Sequence, residues 1–222
     1  MDLSWLKKDQ AGLVSVVVQD RLTGLVRMVA FADEAAIRAT LETGEGHFYS
    51  RSRGKPWRKG EESGNTLAVS EVWVDCDSDC FIYLVDPAGP SCHTKRDTCF
   101  FHRVGSDGQR IHEDVHHAGH TFPRLWTELQ QRRDVSGDKS YTRSLLDKGA
   151  PKIGAKLREE AGEFADALAD ESDDRVVSES ADVLYHMLVG LLHRRVTWRD
   201  LSAELARRFG VSGHDEKASR PK

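Results

Sequence analysis

No apolar run in the 222 residues approaches the length of a membrane span. The opening Met1-Asp2-Leu3-Ser4-Trp5-Leu6-Lys7-Lys8 lacks the charged-then-apolar order of a secretory signal. Positive charge is not in excess either: 32 Lys and Arg stand against 36 Asp and Glu. That balance argues against a general nucleic-acid binder and leaves room only for local basic patches. No internal repeat is present. Cysteine is scarce, with four residues that all fall between Cys76 and Cys99. Without an export signal the expected setting is the reducing cytoplasm, where thiols bind metals more readily than they form disulfides. Hydrophobic content of 39% and charged content of 31% are those of an ordinary soluble protein, long enough for one large domain or two modest ones.

The stretch Asp75-Cys76-Asp77-Ser78-Asp79-Cys80, followed by Cys92-His93 and Cys99, holds most of the chemistry. Read as an extended chain, it places Asp75, Asp77 and Asp79 on one face and Cys76 and Cys80 on the other. Carboxylate oxygens suit magnesium and thiolates suit zinc, so two different metal sites lie back to back. Three cysteines with an open fourth position describe a catalytic zinc, which generates hydroxide near neutral pH. Buried or disulfide-bonded cysteines are the plain alternative, because the spacing of Cys92 and Cys99 is wider than a zinc-finger knuckle.

Strand patterns run from Gly12 to Gln19, Leu25 to Phe31, His47 to Ser50, Leu67 to Val74 and Phe81 to Val85. Asp33 caps a helix that Gly44 stops. Between Arg51 and Asn65 lies a glycine-punctuated loop with five cationic side chains, Arg51, Arg53, Lys55, Arg58 and Lys59. Such a loop seats anions, since Arg forks onto phosphate and Gly admits backbone N–H groups. Trp57 offers a surface on which a base could stack. A solvated loop is the plain alternative.

Gly105 to Gly119 is rich in Gly, His and Asp and reads as a linker, with His112, His116 and His117 as polar linker residues rather than ligands. Beyond it the pattern is helical throughout: Leu125–Arg133, Tyr141–Lys148, Ile153–Ala169, Val176–His193 and Trp198–Phe209. The expected architecture is two domains: a β-rich, metal-binding α+β domain at 1–104, a linker at 105–120, and an all-α bundle at 121–210. A disordered tail is expected at 211–222. In the two long helices, Lys156, Glu160 and Glu163 form one stripe and Glu179, Asp182 and His186 another, with Glu159 beside the first. Facing each other, the stripes would supply oxygen ligands for magnesium and so bind a nucleotide's phosphates. Charged, solvated helix faces are the alternative.

These residues carry a resemblance. Ser50-Arg51-Ser52-Arg53, Trp57-Arg58-Lys59-Gly60-Glu61, Ser63-Gly64-Asn65, Asp75-Cys76-Asp77-Ser78-Asp79 and Cys92-His93-Thr94…Cys99-Phe100-Phe101 resemble phosphoribosyl-AMP cyclohydrolase. Ser140-Tyr141-Thr142, Glu159-Glu160-Ala161-Gly162-Glu163 and Glu179-Ser180-Ala181-Asp182-Val183-Leu184-Tyr185-His186 resemble phosphoribosyl-ATP pyrophosphatase. In this order the two are similar to the fused bifunctional enzyme of histidine biosynthesis. The resemblance implies zinc on Cys76, Cys92 and Cys99, with Cys76 supplied by the other subunit of a homodimer. It implies magnesium on Asp75, Asp77 and Asp79, and His93 as the candidate general base. Arg51, Arg53, Trp57, Lys59, Glu61 and Ser63 become the substrate-binding set. For the helical half it implies an all-α pyrophosphohydrolase bundle with magnesium on Glu160, Glu163, Glu179 and Asp182. Cys80 departs from the pattern, which has a small non-cysteine residue there, and competes with Cys76 as a zinc ligand. Two other readings remain: a zinc nucleobase deaminase fused to a house-cleaning pyrophosphohydrolase, and a non-catalytic zinc-stabilised nucleotide-binding dimer. Deaminases combine His-x-Glu with Pro-Cys-x-x-Cys, and that combination does not occur here.

Overall fold

The computed structural model describes residues 2–112, 121–134 and 140–209. The chain divides into two compact units between residues 120 and 121. In the first unit, β1 (Val14–Asp20) alternates buried and half-buried residues along its length, as its β-branched run dictates. Its partner β2 (Val26–Ala32) returns antiparallel through a turn in which Asp20 Oδ1 accepts from the N–H groups of Leu22 and Thr23. Asp33 then caps α1 (Glu34–Thr43) by accepting from Ala36 N, and Gly44 ends it in the left-handed conformation at φ 69°. From there β3 (His47–Ser50) pairs with β2 and with β4 (Lys55–Arg58). β5 (Leu67–Val74) and β6 (Cys80–Pro87) form a long hairpin, and β6 lies parallel to β1.

The sheet order is β4-β3-β2-β1-β6-β5. Its buried side packs Val14, Val16, Val18, Phe48, Leu67, Phe81, Tyr83 and Val85 with Ala36 and Ile37 of α1. β4 lies inside the segment expected to be a loop. Its Pro56 has no N–H to give, which suits an edge strand and hides it from a strand pattern. Likewise the linker segment begins as a hairpin of β7 (His102–Val104) and β8 (Arg110–His112), turned at Gly105 to Gln109. His112 therefore lies in a strand. Residues 113–120, with His116 and His117, and the tail at 211–222 lie outside the described residues.

The second unit is helical throughout its described residues: α2 (Thr121–Asp134), α3 (Tyr141–Asp170), α4 (Asp173–His193) and α5 (Trp198–Arg207). The expected break at Gly149 is a kink within α3, where Gly149 adopts φ 68° ahead of Pro151. Only Glu171 and Ser172 separate α3 from α4, so the two run antiparallel with facing stripes. Their apolar sides meet α2 through Trp126, Leu129, Leu145, Ile153, Leu188, Val189 and Leu192. Among the described residues no helix is long and apolar enough to cross a membrane.

Candidate functional site

The segment Asp75–Asp79 is a hairpin turn between β5 and β6, so the extended strand with alternating faces is corrected. Ser78 takes φ 70°, and Asp75 Oδ1 accepts from the N–H groups of Asp79 (3.0 Å) and Cys80 (3.1 Å). Turning the chain still gathers the three carboxylates: one oxygen from each of Asp75, Asp77 and Asp79 lies within 4.8 Å of the others. The Cys80 N–H holds the Asp75 carboxyl below its usual range, whereas the charges of Asp77 and Asp75, with burial, push Asp79 up. This is the electrostatics of a group that gains from a divalent cation.

Cys92 and Cys99 come together on the loop after β6, near enough for each thiol to shift the other. Neither is in a disulfide. Burial and the neighbouring Cys92 push Cys99 up to about 11. Burial alone would raise Cys92, but hydrogen bonds from Thr94, whose hydroxyl donates to Sγ at 3.1 Å, bring it below the ordinary thiol value. A soft metal would take both thiols as thiolates and so remove the competition between them. Cys76 is elsewhere. Cys99 N donates to Arg27 O, next to Met28, which pairs with Val18; the Cys76 turn lies beyond Ser15, whose N–H donates to Asp79 O. Three residues of strand separate those levels, roughly 10 Å, with further width across β1 and β6. Thiolates on one zinc lie within about 4.6 Å of each other. Cys80, half-buried on β6 beside Ser15, is as far from that pair.

A cleft of about 590 Å³ opens over the paired thiols. Arg53, Trp57, Lys59, Glu61, Ser63, His93, Cys92 and Cys99 border it. Lys59 is buried, and that desolvation lowers its pKa, while its Nζ donates to Asn65 O at 3.3 Å. Glu61 accepts from Arg58 N, and His93 Nδ1 lies 3.9 Å from Cys92 Sγ. Trp57 is partly core, its ring 5.0 Å from that of Phe48. Arg51 is placed outside the lining, its guanidinium 3.7 Å over the ring of Phe31.

The cleft wall depends on Gly60. Its φ is 86°, and a Cβ there would fall 2.6 Å from Asn65 C and Thr66 N. Gly60→Ala is expected to destabilise the first unit by at least about 2 kcal/mol, from left-handed strain and the clash together. Thermal unfolding checks this. An unchanged midpoint would mean the wall yields freely.

In the helical unit, carboxylate oxygens of Glu160, Glu179 and Asp182 lie within 4.8 Å of one another. Glu160 and Glu179 are 7% and 3% exposed, a degree of burial that carboxylates tolerate only with partners. Lys156 Nζ is 2.8 Å from Glu160 and from Glu159, and Arg175 Nη1 is 2.7 Å from Glu179. Burial, then the charges of Glu160 and Glu179, push the pKa of Glu163 up, so it borders the cluster without being one of the three. His186 lies behind the cluster: Nδ1 donates to Asp182 O (2.9 Å), and Nε2 is 3.1 Å from the Tyr141 hydroxyl. The two buried carboxylates converge with Asp182, and each has its own cationic partner. Pattern reading missed Arg175 and Tyr141 as neighbours of this site. The only trace of Arg175 was a cation four residues before Glu179.

Residues 28–101 match the family model of phosphoribosyl-AMP cyclohydrolase, and 122–209 that of phosphoribosyl-ATP pyrophosphohydrolase. The histidine biosynthesis bifunctional protein HisIE of Wolinella succinogenes is 41% identical over 212 residues, covering 94% of this chain and 93% of the relative. Those of Caldanaerobacter subterraneus and Aquifex aeolicus are 38% and 40% identical, covering 94% and 92% of this chain and 98% of each relative. The chain belongs to the HisIE family. The thiols and the aspartate cluster fall within the cyclohydrolase match, and the helical carboxylates within the pyrophosphohydrolase match.

Proposed function

We propose that the helical unit hydrolyses phosphoribosyl-ATP to phosphoribosyl-AMP and pyrophosphate, and that the first unit then opens the adenine ring between N1 and C6. The observation that carries this reading is that the cleft thiols and an aspartate cluster lie in the first unit and a separate carboxylate cluster lies in the second. We assign zinc to Cys92 and Cys99, and magnesium to Asp75, Asp77 and Asp79 and to Glu160, Glu163, Glu179 and Asp182 of an all-α pyrophosphohydrolase bundle. When bound, zinc activates water near neutral pH, and magnesium offsets the charge of a polyphosphate.

In the helical unit, Glu160, Glu179 and Asp182 define where the polyphosphate meets the protein. Lys156 and Arg175 are close enough to follow the charge as a phosphate arrives. In the cleft, Arg53 and Lys59 take substrate phosphate, Trp57 limits where the base lies, and Glu61 and Ser63 complete the wall. His93, at the thiols, accepts the proton of the water that adds to C6. The N1–C6 bond then breaks, and N1 takes up a proton. The positively charged N1-alkylated ring makes C6 electrophilic, so positioning is the main task left to the chain. The reducing cytoplasm would keep the thiols free.

The distance between Cys76 and the paired thiols supports a homodimer in which each zinc takes Cys76 from the second copy. Purified protein should then carry about one zinc per chain, with Zn–S distances near 2.3 Å by X-ray absorption. Light scattering should give a dimer that weakens when zinc is stripped. An active, zinc-loaded monomer would contradict the shared site.

A further inference from the structure

Neither ligand cluster accounts for Arg27. It interrupts the apolar run Leu25-Val26-Arg27-Met28-Val29 on β2 and is only 5% exposed. A guanidinium is held at such depth only when its donors are used. Here Nε donates to Ser91 Oγ at 3.0 Å, and Nη2 donates to Gly89 O at 2.8 Å. Nη2 also reaches Asp97 Oδ1 at 3.4 Å, and Nη1 lies 3.8 Å from Asp20 Oδ2.

Gly89, Ser91 and Asp97 belong to one loop, the loop that carries both cleft thiols. Ser91 directly precedes Cys92, and Asp97 stands two residues before Cys99. The fork therefore grips both arms of the loop from beneath. Main-chain bonds fasten the far arm to the same strand: Cys99 N donates to Arg27 O at 2.9 Å and Thr98 Oγ1 to Val26 O at 2.6 Å. Within the loop, Cys92 N donates to Arg96 O and Lys95 N to Cys92 O, each at 3.0 Å.

We propose that Arg27 is a positioning residue for the metal held by Cys92 and Cys99, its guanidinium fixing the distance between the two sulfurs. The proposal rests on the zinc reading above. A loop this long between two ligands has conformational freedom that metal binding would otherwise have to remove, and a brace on both arms removes it beforehand. Only a planar fork meets three acceptors on two arms at once; a lysine ammonium at the end of a flexible stem does not. Asp20 is not stranded by the loss of Arg27, because its Oδ1 already accepts from Leu22 N and Thr23 N.

The test is the rate at which the zinc-loaded full chain releases zinc to an excess of a chromophoric chelator. Arg27→Gln should release zinc roughly 10–100-fold faster, the usual effect of losing an outer partner of a metal ligand. Arg27→Lys should fall close to it. Ser91→Ala and Asp97→Ala each remove one acceptor without burying a new charge, and each should quicken release by a few-fold. Thermal unfolding of the zinc-free proteins reports whether each variant folds. Parent-like release from folded Arg27→Gln overturns the proposal; if that variant does not fold, parent-like release from both Ser91→Ala and Asp97→Ala does so. A parent protein that holds no zinc would instead remove the zinc reading itself, and the proposal with it.

Discussion

Cys92→Ser should lose zinc and, with it, ring opening, leaving phosphoribosyl-AMP to accumulate from phosphoribosyl-ATP. The thiol is buried in the lining of the cleft, with Cys99 near enough to influence it. A serine hydroxyl keeps the size of the group and is a far poorer ligand for a soft metal. Without the metal, water near C6 loses the large lowering of its pKa that zinc supplies, so a fall of at least ~1000-fold in ring opening is expected. Cys80→Ser is the control. Cys80 stands on β6 away from the pair, and its replacement should leave zinc content and both reactions at parent levels. Full zinc occupancy in Cys92→Ser would remove the ligand assignment.

The complementary result is expected from Glu160→Gln combined with Glu163→Gln. Glu160 is one of the three carboxylates whose oxygens converge, and the charges of Glu160 and Glu179 help push Glu163 up. Glutamine keeps shape and hydrogen bonding but removes two negative charges. Loss of a mere outer partner reduces metal affinity or activity roughly 10–100-fold, so loss of these two should reduce pyrophosphate release at least ~100-fold. Lys156 keeps Glu159 as a partner, so no cation is stranded. Phosphoribosyl-AMP supplied directly should still be ring-opened at near the parent rate, because the thiols and aspartates lie in the other unit. Normal hydrolysis of phosphoribosyl-ATP by the double variant would show that the helical carboxylates have been misread.

Much of this was legible in the sequence because the signals were local. Asp33 and Gly44 bracket α1 by their own side chain and backbone freedom, and the stripes on α3 and α4 follow from helical period alone. Legibility failed where strand pairing or turn geometry, rather than residue pattern, decided the outcome. β4 forms because β3 offers it an edge, against the bias of Pro56 and a charged flank. The three aspartates do converge, through a tight turn rather than the pleat of a strand, since Ser78 takes a left-handed conformation that alternation does not foresee. Arg51 belongs to the same basic loop as Lys59, yet one lies over Phe31 and the other under the cleft. Composition gives a loop's charge; only the fold says where each charge points. Arg27 left a signal that was readable, a lone cation in an apolar strand, but its loop partners Ser91 and Gly89 lie more than sixty residues away.

The most direct test of two consecutive hydrolyses is a time course on phosphoribosyl-ATP, with every product identified by mass. Pyrophosphate and phosphoribosyl-AMP should appear first, and the ring-opened monophosphate, heavier than phosphoribosyl-AMP by one water, should follow. A ring-opened product that still carries its triphosphate, or turnover of phosphoribosyl-ATP without pyrophosphate, would contradict the order and the assignment of the two units.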